Sequence, residues 1–396
     1  MNYFLRLEQI FRPKAWVFQY LLAQRMKSTS AHGFVAYETR PPVDALLIDV
    51  SGNLHVGTIP TAGAVDAFES LMNSSIPFRL CSNTSKESTA DLVKRLDDMG
   101  FKVTEATHAL SRAPFRQKYE DDQSVGRRLV WTSIGAVAQA VKNMGLKAPY
   151  LLLNDSARAE VLASRDWDEM SDPSNRNYDC VVVGLAPSFF DYEHLNTAFR
   201  ILKGEMQPPD ISTSQAERRE NERSTDKPVQ ATTQKIPLIA THRAKYIQSG
   251  SGQLSLGPGP FVAALECAAG PGVQAHVVGK PTRAFFKMVI DDFGFEANGE
   301  CVEEGVFRAG QGGDGPIRRT RKGKIVVIGD DVEADLGGGA VELGLWRVLV
   351  KTGKYRPGDE NRAGIVPPDE VCDSFGAFVK SLLRDSRDRP EHSRIS

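Results

Sequence analysis

Residues 46–57 read LLIDVSGNLHVG, and this stretch decides the fold. The apolar run at 45–50 predicts a buried strand of a parallel sheet. Asp49 ends that run, where α/β sheets bind ligands, and Gly52 permits a tight turn with close backbone approach to an anion. Taken alone, the motif fits an ordinary aspartate capping a turn equally well.

Similar apolar, β-branched runs recur along the chain and predict further strands of the same sheet. Each is followed by polar or glycine residues and then by a helical pattern, as at 86–99. This alternation predicts an α/β fold with a doubly wound parallel sheet. The further core strands are predicted at 77–81, 324–329 and 347–351, and strands of a separate small middle domain at 150–153, 180–184 and 237–240.

Three polar stretches interrupt this pattern. Residues 105–128 are charged and aperiodic, 205–235 are rich in Pro, Ser, Thr and Gln, and 297–323 are rich in Gly and Arg. Stretches of this kind bury too little apolar surface to offset chain entropy, so we predict surface loops there.

Composition limits the classes of partner and compartment. The 396 residues carry a net charge of -1, which gives no electrostatic reason to expect a nucleic-acid partner. No apolar run is long enough to span a bilayer, so we expect no membrane partner. The five cysteines are dispersed, as is typical of a reducing, cytoplasmic compartment. The basic N-terminal segment is open to two interpretations, a disordered leader or a mitochondrial presequence.

Two motifs in the chain suit anion binding. Ser82 and Asn83 follow the second predicted core strand, where a hydroxyl and a backbone N–H form a natural phosphate cradle, although both residue types are also common helix caps. Lys280 lies in a Gly-Lys-Pro turn that opens a helix. Such a lysine can neutralise a phosphoryl oxygen, although a plain turn has the same sequence.

An acidic loop is the most specific of these signals. Asp330 and Asp331 end the third predicted core strand, and Asp335 follows about one helical turn later. Adjacent carboxylates repel one another unless a cation is present, so this loop predicts a site for a hard metal ion. Together with a nucleophilic carboxylate, an anion cradle and a lysine, it supplies what phosphoryl transfer to a carboxylate requires.

These motifs, in this chain order, resemble the four motifs of the haloacid dehalogenase phosphatase superfamily. The resemblance covers most of the chain from 44 to about 383, apart from the three polar stretches. The stretches that carry it are LLIDVSGNLHVG, SNTSKES, DCVVVGLAPSFFDYEHLNTAFRILKG, LIATHRAKYIQSGSGQLSLGPGPFVAALE, VVGKP, IGDD and VLVKTGKYRPGDE.

The resemblance implies a role for each motif. Asp49 would be the nucleophile and a ligand of Mg²⁺, which Ser51 would also bind through its main-chain carbonyl. Asp330 would be the further ligand, with Asp331 and Asp335 as outer support. The phosphoryl group would be bound by Ser51, Ser82, Asn83 and Lys280, of which Lys280 would neutralise its charge.

The resemblance also implies a Rossmann-like core with an inserted C2-type cap domain. The expected segments are a leader at 1–40, core at 41–143, cap at 144–253, core at 254–386 and a tail at 387–396. The expected partner is a small phosphorylated molecule or a phosphoamino acid. Pairing through the cap, which related proteins show, implies a homodimer.

Two residues depart from the family pattern. Most members carry a second Asp as general acid where this chain has Ser51, and the hydroxyl proton of serine is far too basic to replace it. General acid catalysis is worth about two to four powers of ten in rate, so we expect good leaving groups, as in pyrophosphate, phosphoramidates and aryl or acyl phosphates. Asn53 replaces the usual Thr and puts catalytic vigour in doubt.

Three further residues are candidates for the surroundings of the site. His242 and Arg243 stand where capped relatives carry a substrate-facing turn, and an exposed surface turn fits them equally well. His55 follows the nucleophile closely, and we expect it to belong to the loop.

Two alternatives compete with the enzyme. A phosphoacceptor of the bacterial receiver type would be about one small domain without a cap, which this chain exceeds. A pseudophosphatase acting as a binding or regulatory protein is motivated by Ser51 and Asn53. A P-loop enzyme is excluded, because the chain lacks GxxxxGK[ST].

Overall fold

The computed structural model describes residues 40–112, 128–163, 178–205, 235–248, 253–293 and 323–388. The strands in these ranges are β1 (Val43–Asp49), β2 (His55–Val56), β3 (Ile59–Pro60), β4 (Phe78–Ser82), β5 (Val130–Thr132), β6 (Pro149–Leu152), β7 (Cys180–Val183), β8 (Leu238–Ala240), β9 (Tyr246–Gln248), β10 (Leu254–Leu256), β11 (His276–Val277), β12 (Lys324–Gly329), β13 (Trp346–Val350) and β14 (Glu370–Cys372). The helices are α1 (Ala64–Met72), α2 (Thr89–Asp98), α3 (Val103–Arg112), α4 (Ser133–Asn143), α5 (Asp155–Ala163), α6 (Tyr192–Leu202), α7 (Gly259–Ala269), α8 (Arg283–Asp292), α9 (Gly339–Glu342) and α10 (Phe375–Asp388).

A six-stranded parallel sheet forms the core, in the order β14-β13-β12-β1-β4-β5. Successive residues of its central strand face opposite sides. Ala45 and Leu47 pack in one hydrophobic cluster with α4, α8 and α9, whereas Leu46 and Ile48 pack in another with α1, α2, α3 and α10. A strand buried on both faces needs a continuous apolar run, which is the pattern at 45–50.

A second, four-stranded parallel sheet in the order β11-β8-β7-β6 lies between β5 and β12 in the chain. One face packs with α6 and α7 through Val181, Ala198 and Val262. The other face joins the core cluster, where Val182 and Ile239 lie with residues of α4 and α5. One face of the second sheet therefore shares a hydrophobic cluster with one face of the first sheet.

The fold class predicted from the sequence is confirmed. Every core and middle-domain strand predicted above is present, with ends that differ by at most two residues. The second sheet also contains β11, which lies beyond residue 253, where we predicted the middle domain to end. The remaining predicted domain limits stay a prediction.

One loop prediction is wrong at its start. Residues 105–112 continue α3, because Val103, Ala106 and Leu110 lie on its apolar side and join the core cluster. The rest of the three polar stretches falls almost wholly outside the described residues, as does the N-terminal leader. Among the described helices, none has both the length and the apolar character needed to cross a bilayer.

Candidate active site

Three carboxylates meet at the carboxyl ends of two adjacent strands. Asp49 ends β1 and Asp330 follows β12, and these strands pair in register through Ile48 and Ile328. Asp335 comes from the turn beyond. All three side chains are buried, and each offers one oxygen within 4.8 Å of the others. Parallel pairing therefore brings Asp49 together with two of the three acidic-loop residues, Asp330 and Asp335.

Lys280 is buried against this cluster. Its Nζ donates hydrogen bonds to Oδ1 of Asp49 and, at 2.8 Å, to Oδ1 of Asp335. Burial opposes the charge, but the carboxylates of Asp335 and Asp49 outweigh it and raise the pKa of Lys280. The lysine is therefore a fixed positive charge beside the candidate nucleophile.

One lysine does not compensate three buried carboxylates. Burial and the negative charge of Asp335 raise the pKa of Asp49 to about 7, although the positive charge of Lys280 acts to lower it. Burial and the same neighbouring carboxylates raise the pKa of Asp330 well above its usual value. Among the described residues, Asp49 Oδ2 and Asp330 Oδ1 have no hydrogen-bond partner. Two buried oxygens without donors are suited to a hard divalent cation such as Mg²⁺.

Two glycines leave the space beside Asp330. Gly52 has φ +95° and Gly353 has φ +57°, both in the left-handed region. A Cβ at these positions would lie 2.0 Å and 2.1 Å from Asp330 Oδ2. That oxygen accepts a hydrogen bond from the backbone N–H of Lys354 at 2.6 Å, which fixes the carboxylate's orientation. A side chain at either glycine would displace a candidate metal ligand.

The side chain of Asn83 hydrogen-bonds to the backbone of Lys280. Its Nδ2 donates to the Lys280 carbonyl, and its Oδ1 accepts from the Lys280 N–H, both at 2.9 Å. Ser82 is buried, and its Oγ accepts from Thr84 N–H at 3.1 Å. The structure thus gives Asn83 a positioning role, while phosphoryl binding by these two residues stays a prediction.

Asp331 organises the acidic loop. Its Oδ1 accepts from the N–H groups of Glu333 and Ala334, each at 3.0 Å, and its own N–H donates to Asp335 Oδ2 at 3.1 Å. Burial acts to raise the pKa of Asp331, but the charge of Lys354 and the backbone donors outweigh burial and lower it. This carboxylate is ionised and holds the loop, while its expected support of a metal stays a prediction.

Lys354 is a residue to which the sequence analysis gave no role. It follows β13 in the loop at 351–355, and its Nζ donates to Asp331 Oδ2 at 3.2 Å. It lies within the stretch VLVKTGKYRPGDE, which carried the family resemblance. A lysine in a loop after a core strand was the signal available to find it.

The turn after Asp49 is closed by Asn53. The buried Asn53 donates from Nδ2 to the Asp49 carbonyl at 2.8 Å. Ser51 is exposed in the same turn, and its backbone forms a bridge with His55. Asn53 therefore supports the nucleophile's turn, and metal binding by Ser51 remains a prediction.

His242 reaches the site region as a neutral imidazole. It is buried, accepts from Ala244 N–H at Nδ1 at 3.3 Å, and lies with Nε2 3.4 Å from Ser85 Oγ. Burial, with Lys354 and Lys280 nearby, lowers its pKa to about 3. Arg243 pairs instead with Glu266, with its side chain half exposed.

His55 has a structural role, consistent with the loop assignment. Its Nδ1 lies 2.8 Å from the Gly57 carbonyl, and Arg95 lies 3.2 Å from its Nε2. Burial and the positive charge of Arg95 lower its pKa to about 4. The neutral ring fastens the β2–β3 hairpin to α2.

Family profiles match two parts of the chain. Residues 46–147 match a family described as haloacid dehalogenase-like hydrolase, and residues 277–378 match one described as HAD-hydrolase-like. Both matched parts contain strands of the six-stranded sheet and candidate site residues. Most of the second sheet lies between them.

Individual proteins extend the similarity to most of the chain. Haloacid dehalogenase-like hydrolase domain-containing protein 2 of Mus musculus is 31% identical over 345 residues, covering 87% of this chain and 98% of that protein. Phospholysine phosphohistidine inorganic pyrophosphate phosphatase of Homo sapiens is 31% identical over 346 residues, covering 86% and 95%. The 4-nitrophenylphosphatase structure from Thermotoga maritima has TM-score 0.59 at 20% identity, covers 86% and 97%, and shows the same fold.

Proposed function

This chain belongs to the haloacid dehalogenase-like hydrolase family, and on that premise we propose that it is a magnesium-dependent phosphatase acting through a phosphoaspartyl intermediate. One observation carries the proposal. Asp49 lies in a buried cluster with Asp330, Asp335 and Lys280, and two of the carboxylate oxygens have no donor among the described residues.

In the first half of the reaction, a carboxylate oxygen of Asp49 attacks phosphorus. The bond from phosphorus to the leaving group breaks, and its electron pair departs with the leaving group. In the second half, water attacks the phosphoaspartate, the bond to Asp49 breaks, and phosphate and a proton are released. Lys280 keeps a positive charge beside the reacting oxygens throughout.

The residues present fit the proposed metal. Asp49 and Asp330 would hold Mg²⁺ through the oxygens that lack donors. When bound, the ion would offset the negative charge of the phosphoryl oxygens. Asp335 already accepts from Lys280 and from Asp331 N–H, so it would support the site from outside.

The substrate class follows from the missing acid. Ser51 stands where the general acid would be, and the buried His242, with a pKa of about 3, carries no extra proton near neutral pH. The preferred substrates are therefore phosphorylated compounds with good leaving groups: pyrophosphate, phosphoramidates and aryl or acyl phosphates. A relative named phospholysine phosphohistidine inorganic pyrophosphate phosphatase supports this class.

The test is a substrate panel with magnesium. Purified protein is assayed on pyrophosphate, imidodiphosphate and an alkyl phosphomonoester, with Asp49→Asn as the inactive control. We expect magnesium-dependent turnover of the first two substrates, weak turnover of the third, and none by the variant. Fast turnover of the alkyl ester would overturn the missing-acid argument.

The departures at Ser51 and Asn53 support a second candidate, a catalytically weak pseudophosphatase that acts by binding. Absence of turnover on every substrate, in folded protein that still binds phosphate, would favour it over the enzyme.

A further inference from the structure

We propose that Lys354 binds the leaving group of the substrate and makes the site selective for anionic leaving groups, such as the second phosphate of pyrophosphate. This inference rests on the proposed phosphatase function and names the residue that sets its substrate preference.

Lys354 is anchored at the edge of the acidic cluster. Its backbone N–H donates to Asp330 Oδ2 at 2.6 Å, and its Nζ donates to Asp331 Oδ2 at 3.2 Å. The side chain thus runs from a candidate metal ligand to the neighbouring carboxylate. An ammonium held in this way has a fixed position relative to any phosphoryl group bound at Asp49.

Lys280 and Lys354 differ in how many of their ammonium N–H donors remain available to a ligand. The side chain of Lys280 is 1% exposed and its Nζ contacts two carboxylates. The side chain of Lys354 is 23% exposed, and among the described residues its Nζ donates only to Asp331. An ammonium has three N–H donors, so Lys354 retains donors for a ligand.

Asp331 does not depend on Lys354 alone. Its other oxygen already accepts from the N–H groups of Glu333 and Ala334. The carboxylate therefore keeps hydrogen bonds when the ammonium also bonds an incoming anion. This arrangement lets Lys354 serve a substrate without dismantling the acidic loop.

The positive charge of Lys354 also acts on His242. It is the nearby charge that most lowers the pKa of His242, a residue that follows β8, and it does so more than Lys280. In phosphoryl transfer the attacking and leaving oxygens are roughly in line, so the leaving group points away from Asp49. The ammonium of Lys354, whose side chain is 23% exposed, is a cation available to contact that group.

An ammonium there addresses the missing acid. As the phosphorus–oxygen bond breaks, its electron pair stays on the bridging oxygen, which leaves as part of the departing phosphate. Lys354 offsets this charge with a hydrogen bond, so no proton has to be transferred. The benefit is greatest when the leaving group is itself an anion that the lysine can bind.

The test compares Lys354→Gln and Lys354→Arg with wild type on pyrophosphate and on 4-nitrophenyl phosphate. The second substrate has a stable leaving group without a further phosphate. We expect Lys354→Gln to lose about 10²- to 10³-fold in kcat/KM on pyrophosphate and less than about tenfold on the aryl ester. Lys354→Arg should recover part of the pyrophosphate activity. Equal losses on both substrates would overturn the proposal.

A binding measurement separates this inference from the proposed function. In an Asp49→Asn background, calorimetry with Mg²⁺ measures imidodiphosphate and orthophosphate binding with and without Lys354→Gln. We expect weaker imidodiphosphate binding and little change for orthophosphate; parallel changes would sink the inference even if no substrate is turned over. Lys351→Gln is the matched control, since Lys351 lies in the same loop but pairs with the exposed Asp373 at 3.6 Å.

Discussion

The molecule contains two buried clusters of charge that behave in opposite ways. In one, Arg79 of β4 pairs with Asp292 of α8, with side chains 2% and 8% exposed. In the other, Lys280 meets Asp49 and Asp335, with Lys280 1% and Asp49 7% exposed. Burial is nearly the same, so the difference lies in how the charges are compensated.

The Arg79 cluster is balanced. One cation faces one anion at 2.7 Å, a second guanidinium N–H donates to the Phe78 carbonyl at 2.8 Å, and the Phe293 ring lies 4.3 Å away. The Lys280 cluster has an excess of negative charge and two oxygens without donors among the described residues. A buried pair with its hydrogen bonds made is costly to break, whereas a buried cluster with uncompensated charge is suited to binding a ligand.

Lys280→Met should disrupt the Lys280 cluster and have the largest effect of the changes proposed below. It removes the only cation within hydrogen-bond distance of Asp49 in the described structure. We expect kcat/KM on pyrophosphate to fall at least about a thousandfold, since charge aimed at the reacting group is the largest single catalytic contribution. Steady-state kinetics on protein shown to be folded by circular dichroism would measure it. Retention of near wild-type activity would remove Lys280 from the site.

Asp292→Asn should act only on stability. It leaves Arg79 buried beside a neutral partner, which costs about 3 kcal/mol of the free energy of unfolding. The candidate site is formed by other side chains, so kcat/KM of the folded protein should not change. Urea unfolding and kinetics on the same samples would measure both. A large loss of kcat/KM without loss of stability would contradict the division between the clusters.

One side of this contrast, the acidic site, could largely be predicted from sequence. The long core strands are continuous apolar runs, and Asp49 and Asp330 end two of them, which places their carboxylates together once the strands pair. Strands β5 and β14 were not predicted, because each is a short edge strand without an extended apolar run. Short strands owe their existence to a neighbour's free edge, which local sequence does not show.

The partners of individual side chains could not be predicted. Asn83 was expected to bind phosphate, yet both ends of its amide bond the backbone of Lys280, far away in sequence. Arg79 gave no signal, because a buried arginine depends on Asp292 being placed opposite by a helix from another part of the chain. Whether a buried charge is compensated depends on tertiary contacts, which the local sequence does not show.

Asp49→Asn should raise the free energy of unfolding, in contrast to Asp292→Asn, because it removes a charge that is not fully compensated. The folded-state pKa of Asp49 is raised to about 7, so ionisation above that pH costs stability that is regained as the pH falls toward 4. In metal-free protein the variant should gain on the order of 1 kcal/mol at pH 8 and little at pH 4. Urea unfolding at both pH values would check it. If the variant at pH 8 is only as stable as wild type, or less stable, the charge of Asp49 is already fully compensated in the folded protein.

Asp291→Asn is the smallest change and the matched control for Asp292→Asn, because the two residues are neighbours on α8 with opposite environments. Asp291 pairs with Lys287 one turn earlier at 2.6 Å, and both side chains are about half exposed, at 48% and 47%. Exposed pairs of this spacing contribute about 0.3–0.5 kcal/mol and are screened by salt. We therefore expect a loss below about 0.5 kcal/mol that disappears in high salt, measured by urea unfolding at two ionic strengths. A loss as large as that of Asp292→Asn would mean that the helix, and not the buried pairing with Arg79, sets the cost of altering this end of α8.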